Sequence, residues 1–118
     1  MNLVHGYLID PHRKTIKKVS FDNDDYQNIY PLIRAQCFDI ARVAKDVIIF
    51  VDDNGWQFKN KYAFKHMGYP QWLCGYGLVM GEDTHGEIID APCTLEQLRM
   101  MVTFGENIGR KTSWELDK

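Results

Sequence analysis

The sequence predicts an α+β domain, with a small mixed, mostly antiparallel sheet of about five strands and two or three helices. Three observations predict it. In "LVHGYLI" and "TIKKVSF" apolar residues alternate with polar ones, the period of a strand with one wet face. "VIIFV" is an unbroken, β-branched run of the kind covered on both faces. "TLEQLRMMV" repeats its apolar residues at helical spacing behind a capping sequence.

Taken in order, residues 3–9 read as a strand and "DPHRK" as a turn, with Pro11 preset for the bend. "TIKKVSF" returns to complete a hairpin. Asp22 is a candidate N-cap for a helix in which Tyr26, Ile29, Tyr30 and Ile33 share a face, and Pro31 should kink or end it near Tyr30. "CFDIARV" is a half-buried strand, "VIIFV" the central one, and "DDNG" a turn. A short helix is expected over 61–67, closed by Gly68. A strand follows from Trp72 to Met80, with a bulge expected at Gly75 or Gly77. In the last helix Thr94 and Gln97 form a capping box, and Leu95, Leu98, Met101 and Val102 share the buried face. Residues 1–118 read as a single domain, and 105–118 as a polar tail that is mobile or docks on a partner.

At 118 residues the chain is long enough to bury one core. Its net charge of −2 argues against a double-stranded nucleic-acid glove, which needs a strongly basic face. No apolar run approaches the ~20 residues of a membrane span, and the amino end has no signal-peptide pattern. Cys37, Cys74 and Cys93 are odd in number and widely spaced, as for reduced and mostly buried thiols of a cytoplasmic protein.

Few motifs carry chemistry. Gly75, Gly77 and Gly81 fall short of a dinucleotide fingerprint, whose third glycine would stand at Met80 and lead into a helix. "VIIFVDD" resembles a magnesium-holding strand of nucleotide hydrolases, but the lysine-bearing phosphate loop it requires is missing. His5, His12, His66 and His85 have no metal-ligand spacing, and "EDTHGE" reads as a solvated acidic loop. No nucleophile signature surrounds any serine or cysteine. A metal-free, cofactor-free and non-enzymatic protein is therefore expected, with a small hydrolase as the weaker alternative.

The sharpest feature is a charge asymmetry. From Asn54 to Gly81 there is no Asp or Glu, while the same stretch holds seven of the fifteen aromatic residues together with Lys59, Lys61 and Lys65. Rings interleaved with cations suit a protein partner, for which Trp and Tyr are favoured anchors. They also suit a nucleotide-like small molecule, with rings on the base and ammonium groups on phosphate. The plainer alternative is that the rings fill the core and the lysines line a wet face. The candidate contact residues are Tyr69, Gln71, Trp72, Tyr76, Lys59, Lys61 and Lys65. Trp72 and Tyr76 should share one side of their strand.

"YLIDP", "IYPLI", "FVDDNG", "GYPQWLCGYGLVMG" and "TLEQLRMMVTF", in this order, resemble a family of small uncharacterised proteins carried by bacteriophages and other bacterial mobile elements. The likeness runs from about residue 3 to 104 and departs at Trp72, where a smaller residue is expected. It carries no catalytic residues. It implies an accessory protein in the cytoplasm of a bacterial host that binds and inhibits a host protein, such as a defence component. A homo-oligomer is expected on separate grounds, because a sheet this small leaves an edge strand open.

Overall fold

The computed structural model describes residues 2–52 and 62–106. In chain order these form β1 (Leu3–Asp10), β2 (Thr15–Asp22), a 3-10 turn (Tyr26–Asn28), α1 (Ile29–Ile33), β3 (Phe38–Ala44), β4 (Val47–Asp52), β5 (Tyr62–His66), β6 (Leu73–Cys74), β7 (Gly77–Glu82), β8 (Ile88–Ile89), α2 (Leu95–Met101) and β9 (Val102–Glu106). The main sheet has the order β2-β1-β7-β4-β3, every pair antiparallel, with β8 added to β7. Strands β6, β5 and β9 form a second antiparallel sheet. The predicted α+β fold forms, and the second sheet is the addition to it. No helix among the described residues is long and apolar enough to cross a membrane.

The period of two along each strand sorts side chains to the two faces of the main sheet. Ile9, Ile49, Val51 and Val79 join Phe64 of the second sheet and Leu98 of α2 in one core. Val4, Leu8, Ile48, Phe50, Leu78 and Met80 point the other way, to Ile29 and Ile33 of α1. β4 and β7 thus bury both faces, which is why "VIIFV" and "GLVMG" contain no charge. Phe64 is wholly buried, and burial of such a ring contributes roughly 1.5–3 kcal/mol. Its edge occupies the space where a side chain at Gly77 would lie, so a glycine is required for the second sheet to seat on β7.

The predicted hairpin forms in full register from Leu3↔Asp22 to Asp10↔Thr15. Asp10 Oδ1 closes its turn, accepting from the backbone N–H groups of His12 at 3.0 Å and Arg13 at 3.3 Å. The α2 capping box is also present. Thr94 Oγ1 accepts from the Gln97 N–H at 3.1 Å, and Gln97 Oε1 accepts from the Thr94 N–H at 2.9 Å.

Elsewhere the structure differs from the sequence expectation. The helix expected over 61–67 is β5, because Tyr62–His66 pairs with β6 on one side and β9 on the other. The strand expected from Trp72 to Met80 is two strands in different sheets, broken where Gly75 takes φ 85, a left-handed conformation that costs glycine nothing. The helix cap is Asp25, which accepts from the Gln27 N–H, rather than Asp22. Pro31 does not end α1, since it falls in the first turn, where a missing N–H leaves no bond unmade. Val102 opens β9 instead of completing α2. β4 is interior, but the middle strand is β7. Cys74 is buried, whereas Cys37 is exposed and Cys93 half-buried.

Candidate functional site

The acid-free stretch leaves β5 through a turn built around its own side chains. The His66 imidazole is only 5% exposed, and its Nδ1 accepts the Gly68 N–H at 2.9 Å. That acceptor role assigns the proton of the neutral ring to Nε2. Burial, and secondarily the charge of Lys65, holds the His66 pKa below the ordinary 6.5. The Tyr69 N–H donates to the His66 carbonyl at 2.9 Å, and Lys65 Nζ donates to the Tyr69 carbonyl at 2.8 Å. The turn is therefore held at both ends, with Met67, Gly68, Pro70 and Gln71 exposed and Tyr69 turned inward.

The sequence-predicted contact residues separate. Tyr69 is half-buried and packs against the core shared by the two sheets. Lys65 is tied to its carbonyl. Gln71 is exposed, and Trp72 is half-buried, its indole lying over Gly105 of β9. Tyr76 packs instead against the core on the α1 side of the main sheet. Trp72 and Tyr76 thus do not share one strand face, because the chain changes sheets at Gly75 between them. Lys59 and Lys61 lie outside the described residues.

Tyr76 belongs to a different cluster, at the end of the main sheet where the β1–β2 turn meets α1. His12 stacks on its ring with centroids 5.3 Å apart, and the Arg34 guanidinium lies 4.9 Å from the ring centre. Tyr62 approaches His12 at 4.7 Å. These contacts occupy the ring faces that an incoming base would need.

Sequence reasoning missed a patch of methionines. Met67 is 71% exposed, Met100 83% and Met101 37%. The Met67 N–H donates to the Met101 carbonyl at 3.0 Å, which brings the turn after β5 against the last turn of α2. Met101, expected inside, is therefore partly outside. One signal was visible: Met100 is out of phase with the Leu95, Leu98, Met101 stripe. The patch is unbranched, polarizable and deformable, the properties of an adaptable protein-contact surface.

The "EDTHGE" loop is closed by Asp83, whose Oδ1 accepts from the N–H groups of His85 at 2.8 Å and Glu87 at 2.9 Å. Among the described residues no three His, Cys, Asp or Glu side chains gather as a metal ion would require. Compared with known proteins, the chain matches no family model, no curated protein and no solved structure.

Proposed function

We propose that this chain is a non-enzymatic, phage-type accessory protein that binds and inhibits a bacterial host protein, such as a defence component. The observation that carries the binding reading is the exposure of Met67, Met100 and Met101 where a backbone hydrogen bond joins the turn after β5 to the end of α2. Exposed flexible apolar side chains lose water on contact and adapt to a partner's shape. Gln71 is exposed and Trp72 half-buried in the acid-free stretch that follows Met67. The phage context rests on the sequence resemblance alone. Three free thiols suit the reducing cytoplasm of a bacterial host. Self-association through an open sheet edge is part of the same reading.

The nucleotide-like ligand draws less support, since Lys65 is held by the Tyr69 carbonyl and Tyr76 already carries His12 and Arg34. The test is capture from bacterial lysate by the full chain and by its Met67→Glu/Met100→Glu variant. Both substitutions lie on exposed side chains, so the melting temperature should hold while the captured protein is lost. Equal capture by both forms would remove the methionine patch as the contact surface.

A further inference from the structure

The geometry points to a small carboxylate-binding groove between the β1–β2 turn and the junction of α2 with β9, distinct from the methionine surface. The groove holds about 250 Å³ and is lined by Lys14, Thr15, Ile16, Arg99, Val102 and Phe104. Its floor is apolar: Ile16 and Val102 are buried and Phe104 half-buried. The side chains of Lys14 and Arg99 are exposed and supply two positive charges, and Thr15 adds a hydroxyl. Among the described residues no carboxylate lines the groove, and no ion pair joins Lys14 or Arg99 to another of them. Two like charges over a low-dielectric floor raise the local concentration of an anion and favour one that bridges them.

Size and floor restrict the ligand further. Ordinary ligand pockets run from roughly 300 to 1,000 Å³, so this groove is too small to enclose a nucleotide. A bare inorganic anion would leave the floor of Ile16, Val102 and Phe104 uncovered. The chemistry that satisfies both parts is a carboxylate on a short branched aliphatic body. It can come from a free acid or from the aliphatic C-terminal residue of a peptide.

Backbone geometry supplies an unusually clean variant. Lys14 holds φ 56, a left-handed conformation that glycine adopts without strain. Lys14→Gly therefore removes a groove cation while relieving the backbone, and should melt no lower than the wild type. The experiment is an amide NMR titration of the full chain with isovalerate, with N-acetylleucine, with isoamyl alcohol and with sulfate. Saturable shifts at Thr15, Ile16, Val102 and Phe104 are expected with the two carboxylates, and the tighter of the two identifies the source. Lys14→Gly and Arg99→Gln should each weaken that binding about tenfold, the scale of one charge-assisted hydrogen bond. Equal binding of the alcohol or sulfate, shifts centred elsewhere, or unchanged affinity in both variants would overturn the proposal.

Discussion

The indole of Trp72 covers Gly105, so closely that a β-carbon on that glycine would come within 2.7 Å of Cζ3 and 2.8 Å of Cη2. This contact clamps the segment entering β6 onto β9, across β5. Gly105 has no left-handed φ, so alanine there is conformationally acceptable and on backbone entropy alone would stabilise by ~0.4–1 kcal/mol. The contact reverses the sign. Gly105→Ala should cost about 1–3 kcal/mol through overpacking.

A double-mutant cycle isolates the contact. In a Trp72→Ala background the obstruction is gone, and the cost of Gly105→Ala should shrink by at least about 0.5 kcal/mol. Trp72→Ala alone should cost about 1–3 kcal/mol, below the ~3–5 kcal/mol of a fully buried ring, because the indole is half-exposed. Urea unfolding of the four proteins checks both values. Additive costs would mean that the two residues do not touch in solution.

His66 sets a pH dependence whose sign follows from its environment. Its folded pKa lies below the ordinary 6.5, so the unfolded chain takes up a proton first as pH falls. The stabilisation from the neutral buried ring is full above 6.5 and is lost as pH drops from there through the folded pKa. The slope from this one group is at most about 1.4 kcal/mol per pH unit. His66→Gln keeps an acceptor for the Gly68 N–H and removes the titration. Its urea midpoint should vary less than the wild type's between about pH 7.5 and about pH 5.5. Parallel curves for the two proteins would refute the assignment.

The parts of the fold legible in the sequence are those decided locally. Alternation and the Asp10-Pro11 turn specify the first hairpin, and Thr94 with Gln97 specifies the start of α2. β5 is not legible, because "YAFKH" suits a helix or a strand equally until β9, far along the chain, pairs with it. Gly75 announced an irregularity, but not that the chain would pass from one sheet to the other. At the candidate site the aromatics dominated the reading of the sequence, yet most of the described ones are absorbed by packing. The methionine patch depends on the backbone bond from Met67 to Met101, a long-range pairing with no local signal.

The three thiols should react in a fixed order. Cys37 is exposed, Cys93 half-buried and Cys74 buried. Burial pushes the Cys74 and Cys93 thiols up, and the nearby Asp46 adds to the effect on Cys93. The thiolate is the nucleophile, so both exposure and pKa slow these two. With a coloured disulfide reagent in native buffer, one rapid equivalent is expected from Cys37, and denaturant should release the others. Cys37→Ser should abolish the rapid phase. Three equal rates in the folded protein would contradict the burial of Cys74.

The last prediction concerns which edge of the main sheet supports self-association. The outer strands are β2 and β3. β2 carries exposed Lys17 and Lys18 in succession, a charged edge that discourages strand addition. β3 carries Ile40, 40% exposed, before its register shifts between Arg42 and Ala44. The shift interrupts regular pairing and confines a partner strand to the Phe38–Arg42 half, around Ile40. A twofold antiparallel contact there would cover Ile40 from both copies. Ile40→Lys should therefore convert a dimer to a monomer, with little change in the stability of each subunit because the side chain is already partly in water. Light scattering at micromolar concentration checks this against the wild type. A monomeric wild type would remove the dimer altogether, and an Ile40→Lys protein that remains dimeric would place the contact on another surface.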